Sequence, residues 1–175
     1  DWEKIISMST KKHSGHPHLS GEYRWGDTLQ LIFLFFFLVI WILDSFVFHY
    51  STFLMDLVPN FIRIPVASIV LFLAWILARR GMKAVFGTER EKPELISTGV
   101  FSVIRHPIYT GAILFYLGAS LITLSILSLV FCLVIVAVYV LIARFEEQIL
   151  TKEFGEAYFD YKKRTGMLFP KIFRS

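Results

Sequence analysis

HPIYTGAILFYLGASLITLSILSLVFCLVIVAVYVLIA, His106–Ala143, runs for 38 residues without a Lys, Arg, Asp or Glu. As one helix it would reach about 57 Å at ~1.5 Å per residue, nearly twice the roughly 30 Å hydrocarbon core of a bilayer. The stretch therefore has to fold back on itself. Backbone groups in lipid must be satisfied within the segment, so each half is expected to be helical. Gly118, Ser120, Thr123 and Ser125 cluster near its middle, which places the reversal within Gly118–Ser125.

Two further apolar blocks precede it. The first covers Leu29–Phe48, with Asp44 as its only charge, and the second covers Ile64–Ala78 and stops at Arg79-Arg80. The reading is an all-α integral membrane protein with four transmembrane helices, a C-terminal helical hairpin and an interfacial C-terminal helix. With four spans, seventeen of the eighteen basic residues fall on one side and only Arg63 on the other. The positive-inside rule then makes that side cytoplasmic, with both termini there. The chain divides into a polar arm over 1–27, spans 1 and 2 over 28–80, and a core over 81–175 that carries the hairpin and a C-terminal cap.

Composition agrees: 55% of the 175 residues are hydrophobic, and the mean hydropathy is +0.61. Segregated apolar blocks of this length need lipid to cover them. The net charge of +4 is modest and sits between the apolar blocks, which is not a nucleic-acid footprint. The single cysteine, Cys132, excludes an internal disulfide or a CxxC metal site. The polar opening and the long first apolar block do not read as a cleavable signal peptide. His13, His16 and His18 lie in the arm without a carboxylate or thiol to complete a metal site, so no metal is expected.

Chemistry concentrates at three places. Arg105-His106-Pro107 stands where the chain enters the third span. Proline suits the first turn of a helix, and the free N–H groups there attract an anion such as a carboxylate. Tyr109 lies one turn from Arg105 on the same face, and Gly111 permits close approach of a backbone or a ligand. Arg144-Phe145-Glu146-Glu147 marks the end of the fourth span. Taken singly, these residues are ordinary interfacial anchors, aromatic-belt residues and packing glycines. The hairpin, however, returns Glu146-Glu147 to the membrane face where Arg105-His106 sits, which suits a zwitterionic or mixed-charge ligand. The third place is the tail from Phe154 to Pro170; Glu146 to Arg164 has helical spacing of apolar and aromatic residues, broken near Gly155, which reads as an interfacial amphipathic helix or as a cap over the site.

Together these features resemble one family. RHPIYTG (105–111) matches the RHPxYxG signature of the isoprenylcysteine carboxyl methyltransferase and phospholipid methyltransferase superfamily. Glu146-Glu147 matches its paired glutamates, FGEAYFDYKKRTGMLFP (154–170) looks like its C-terminal ending, and LISTGVF (95–101) resembles the segment before the signature. The likeness covers Glu94 to Pro170. It implies S-adenosyl-L-methionine bound at the cytoplasmic face, S-adenosyl-L-homocysteine as product, and neither metal nor flavin. By position it implies a cofactor shell of Glu94, Leu95, Ile96, Gly99, Phe101, His106, Pro107, Tyr109, Gly111 and Glu146, with catalytic roles for Arg105, Tyr109, Arg144 and Glu147. Two positions depart from the family: Phe101 stands where Tyr is common, and Ile142 where the eukaryotic carboxyl methyltransferases carry a substrate-contacting Arg.

The implied reaction is methyl transfer to a lipophilic acceptor drawn from the bilayer, with isoprenylcysteine-type carboxyl O-methylation first and phospholipid amine N-methylation as the alternative. Methyl transfer is an in-line displacement at a carbon activated by positive sulfur, so the protein must align the reactants and exclude water. A carboxylate acceptor needs no base, whereas an amine must shed a proton. Rival readings are a nicotinamide-dependent membrane reductase and a non-enzymatic membrane scaffold. No nucleic acid is implied as a partner, and the sequence leaves the oligomeric state open.

Overall fold

The computed structural model describes residues 26–87 and 94–171. Residues 1–25 of the polar arm, with its three histidines, and the basic residues Arg90, Lys92 and Arg174 lie outside the described residues. Among the described residues five α-helices follow in order: α1 (Gly26–Ile42), α2 (Asn60–Phe86), α3 (Pro107–Thr123), α4 (Ile126–Phe154) and α5 (Glu156–Arg164). There is no β-strand among the described residues; a lone parallel bridge joins Ile104 to Gly166.

α1 continues as a π-helical segment over Leu43–Phe48 and ends where His49 takes a left-handed φ of 52°. Thr28–Phe48, Asn60–Phe86 and Ile126–Phe154 are each long and apolar enough to cross a membrane. α3, at 17 residues, extends about 26 Å at ~1.5 Å per residue and is the shorter partner. α2 does not stop at Arg79-Arg80 as its apolar block does; it runs on to Phe86. Leaving the apolar zone does not end a helix, and the Arg79 guanidinium lies 5.4 Å from the centre of the Trp75 ring.

α2 and α3 lie against one another over most of their length because small residues line the seam. A Cβ added at Gly111 would stand 3.0 Å from both the Ala74 carbonyl oxygen and the Ala78 nitrogen, and one at Gly118 would stand 2.8 Å from the Leu71 side chain. Gly118 and Ser120 therefore belong to the interior of α3. The reversal itself falls at Leu124-Ser125, where Leu124 takes a left-handed φ of 47° and the Ser125 side chain caps α4 by accepting from the Ser128 N–H.

The core forms where α1, α3 and α4 meet. Phe37, Ile113, Tyr116, Ala119, Cys132, Ile135, Tyr139 and Ile142 are buried there, and Leu168 of the tail closes it. The outward faces stay apolar: Leu31 is 67% exposed, Phe61 77% and Leu133 69%. Surfaces of this kind are covered by lipid in a membrane protein.

Candidate functional site

The site is built where the chain enters α3. His106 caps that helix and Pro107 occupies its first turn, where a missing N–H costs nothing. The approach to it is pinned by the tail. The Arg105 N–H donates to the Gly166 carbonyl at 2.8 Å, the His106 N–H to Met167 at 3.1 Å, and the Thr110 hydroxyl to Leu168 at 2.8 Å. The tail can reach this position because Gly155, at φ 53° and ψ −125°, reverses the chain between α4 and α5; that backbone geometry is readily open only to glycine.

The two adjacent glutamates have different partners. Glu147 Oε1 accepts from Arg105 Nε at 2.6 Å, and Lys162 Nζ stands 2.8 Å from Oε2. Arg105 also donates to the carbonyl of Thr165. Glu147 thus ties the α3 entry, α4 and α5 together, and burial leaves it 5% exposed. Such a charge is tolerated in the interior only when it is paired on both oxygens. Glu146, 7% exposed, accepts from the Tyr109 hydroxyl at 2.7 Å. His106 sits between the two: Nδ1 is 3.6 Å from Glu146 Oε2 and Nε2 is 3.6 Å from Glu147 Oε1. Both separations are beyond hydrogen-bond distance.

An aromatic ladder leads inward from this mouth. The rings of His106 and Tyr109 stack at 5.6 Å, and those of Tyr109 and Tyr139 at 5.3 Å. From the tail side come Tyr158 and Tyr161, 1% and 4% exposed. Tyr161 donates to the Phe101 carbonyl at 2.6 Å. The Tyr158 hydroxyl and His106 Nε2 have no hydrogen-bond partner among the described residues. Burial raises both phenols above the ordinary tyrosine range, and the nearby charge of Glu147 raises Tyr158 further.

The structure brings together Arg105, His106, Pro107, Tyr109, Glu146 and Glu147. Phe101 joins the wall through its carbonyl, in a short turn that begins at Gly99. Glu94, Leu95 and Ile96 lie in the segment before that turn. Gly111 faces the backbone of α2. Arg144 is exposed and lines a groove together with Glu147 and Lys162. Sequence reasoning assigned no site role to Tyr158, Tyr161, Lys162 or Thr165. The signal was their place in the tail motif, which suggested a cap but not which side chains it delivers.

Comparison with known proteins follows the same geometry. The family model for phospholipid methyltransferase matches residues 65–157, which contain the α3 entry and both glutamates. The chain belongs to this family. Three relatives are similar: a nickel-cobalt-cadmium resistance protein of Alcaligenes xylosoxydans xylosoxydans (34% identical over 53% of this chain and 44% of that one), methanethiol S-methyltransferase 2 of Bradyrhizobium diazoefficiens (34%, over 54% and 36%), and protein-S-isoprenylcysteine O-methyltransferase of Saccharomyces cerevisiae (33%, over 57% and 43%). The matched regions thus span less than half the length of each relative. The solved structure of the eukaryotic intramembrane Ras methyltransferase, an isoprenylcysteine carboxyl methyltransferase, superposes with a TM-score of 0.62 at 19% identity, over 84% of this chain and 54% of that one. The fold is shared.

Proposed function

We propose that this chain is a membrane methyltransferase that takes its methyl group from S-adenosyl-L-methionine. In this reading α3 makes a fourth crossing, and both termini lie on the cytoplasmic side. The observation that carries it is the buried meeting of His106 and Tyr109 with Glu146, beside a Glu147 already neutralised by Arg105 and Lys162. Glu147 ties the walls together, and Glu146 lies next to it on α4 with Tyr109 and His106. Glu146 suits an ammonium group or ribose hydroxyls, the α3 N-terminus with His106 suits a carboxylate, and the stacked rings of His106 and Tyr109 suit a flat heterocycle. The sulfonium cofactor would supply an activated methyl group. The protein's part is to bind, orient and exclude water.

For the acceptor we propose a lipophilic molecule entering from the bilayer, with an isoprenylcysteine-type carboxylate first. The relative in Saccharomyces cerevisiae is named for that chemistry. Its carboxylate would arrive deprotonated, so no base is required, and Tyr109 and Glu146 would serve to position rather than to remove a proton. A phospholipid amine is the second reading, favoured by the family match.

The test is thermal shift of the purified full chain with S-adenosyl-L-homocysteine and, separately, with NADPH. Stabilisation by the first alone supports the reading, and stabilisation by the second alone points to a reductase. Labelled methyl donor offered with farnesylcysteine, phosphatidylethanolamine or methanethiol then separates the acceptors.

A further inference from the structure

On the far side of Glu147 from His106 and Tyr109, α4 and α5 form a groove that shares Glu147 and Lys162 with the site above. It encloses about 540 Å³ and is lined by Arg144, Glu147, Gln148, Thr151, Lys152 and Lys162. Arg144, Gln148, Thr151 and Lys152 are spaced i, i+4, i+7 and i+8, which puts them on one face of α4. Lys162 comes from α5, brought across by the reversal at Gly155.

Charge makes the groove specific. Three cations line it against one carboxylate, and that carboxylate is spent: Glu147 Oε1 takes Arg105 and Oε2 takes Lys162. Arg144 and Lys152 make no ion pair or hydrogen bond with a described side chain. Lys162 is pre-positioned, held 2.8 Å from Glu147 and over the Tyr158 ring at 5.8 Å. Two unpaired cations thus face one already-placed ammonium across a cleft, with Gln148 as a neutral donor between them. Such a set of donors suits an anion with several oxygens.

Depth identifies the source of that anion. Arg144 follows directly on Ala143, the last residue of the charge-free run. In a spanning helix this is the level where hydrocarbon gives way to headgroups, and lipid phosphates lie there. Large hydrophobic side chains are exposed over the spanning helices, Leu133 and Leu141 of α4 among them, a surface that acyl chains would cover.

We infer that this groove binds the phosphate of an anionic glycerophospholipid, held by Arg144, Lys152 and Lys162. The inference assumes that α4 spans the membrane but does not require methyl transfer. Its consequence is local. A phosphate beside Lys162 draws on the same ammonium that neutralises Glu147, so lipid in the groove shares a wall with the methyl-transfer site.

The test uses the purified full chain in a nonionic detergent and calorimetric titration with dihexanoyl phosphatidylglycerol. Saturable binding is expected, weakened about tenfold or more in Arg144→Gln and again in Lys152→Gln, each of which removes one charge-assisted contact. Lys163→Gln serves as control, because Lys163 pairs with Asp160 at 2.9 Å outside the groove; it should bind as wild type does. Dihexanoyl glycerol, which lacks the phosphate, should not bind, and inorganic phosphate should bind more weakly than the lipid. Wild-type affinity in both glutamine variants, or equal binding of the phosphate-free lipid, overturns the proposal. Inorganic phosphate binding as tightly as the lipid overturns the lipid source. Titration with S-adenosyl-L-homocysteine in the same variants shows separately whether the methyl-donor site is intact.

Discussion

α3 and α4 carry a buried polar cluster at each end, and the two are built on different plans. At the turn end, Asp44 receives the Ser51 N–H at 2.9 Å, the Ser51 hydroxyl at 2.6 Å and the Ser125 hydroxyl at 2.5 Å. Thr123 receives Trp41 and Ser45, and Ser128 donates to Ser120. Apart from Trp41 these contacts are made by short side chains, and the one described cation nearby, Arg63, donates to the Ile122 carbonyl at the C-terminus of α3, where positive charge is favoured. At the other end stand two carboxylates, an arginine, a lysine, a histidine 3.6 Å from each glutamate, and a buried tyrosine hydroxyl without a hydrogen-bond partner among the described residues. Both clusters cost desolvation. The first recovers it in internal hydrogen bonds and acts as a fastening. The second leaves the Tyr158 hydroxyl and His106 Nε2 without a hydrogen-bond partner among the described residues.

The sharpest way to break this comparison is at Glu147, which like the first cluster is tied up in internal contacts. Glu147→Ala leaves Arg105 buried without its carboxylate, and loss of one partner of a buried pair costs about 3–5 kcal/mol. The expected outcome is a large drop in thermal stability in detergent together with loss of S-adenosyl-L-homocysteine binding. A variant as stable as wild type would show that Glu147 is not the tie between α3, α4 and α5.

Glu146 and His106 should respond differently. Glu146→Ala and His106→Ala are each expected to weaken S-adenosyl-L-homocysteine binding about ten- to a hundredfold, the worth of one charged hydrogen bond of roughly 1.5–3 kcal/mol. Thermal stability should fall far less than in Glu147→Ala. Calorimetry on both variants checks this, and wild-type affinity in both would mean that the ligand sits elsewhere.

At the opposite end the expectation inverts. Asp44→Ala removes the acceptor of three short hydrogen bonds, at a cost of about 1.5–3 kcal/mol, so the melting temperature should fall. Its affinity for S-adenosyl-L-homocysteine should equal that of wild type, because the whole length of α3 separates it from His106. A fall in affinity without a fall in stability would contradict the division of labour.

The contrast also marks how far the sequence could be read. The charge-free run announced helices and a reversal, since no single helix of that length fits a bilayer. The order RHPxYxG then Glu-Glu announced the polar meeting at one end. The position of the turn was less legible, because Gly118 and Ser120 look like turn residues but serve helix contact, Gly118 against Leu71. The Asp44 cluster was not legible at all: its partners Ser51 and Ser125 are 7 and 81 residues away, and serines carry no spacing signal. Which of two adjacent glutamates is tied down also depends on Lys162 and Arg105 arriving from separate segments. That assignment follows only from the folded chain.

The smallest expected effect is the most discriminating. Tyr158→Phe removes a hydroxyl that is buried and makes no hydrogen bond with a described residue. Deleting such a group costs the fold nothing in hydrogen bonding and spares a desolvation penalty. Thermal stability should therefore hold or rise slightly. Tyr161→Phe is the matched control, since its hydroxyl donates to the Phe101 carbonyl at 2.6 Å, and its loss should cost about 1 kcal/mol of stability. If the Tyr158 hydroxyl meets the ligand, affinity for S-adenosyl-L-homocysteine falls about fivefold in Tyr158→Phe, which is one neutral hydrogen bond. The pH dependence has a definite sign. Both phenols are held above their ordinary range, so the folded chain keeps protons that the unfolded chain sheds. Their contribution is flat below about pH 10, and stability falls as the pH climbs beyond it. Tyr158→Phe should reduce that alkaline fall while leaving the neutral range untouched. An unchanged affinity together with an unchanged alkaline profile would place Tyr158 outside the site and make its burial a matter of packing alone.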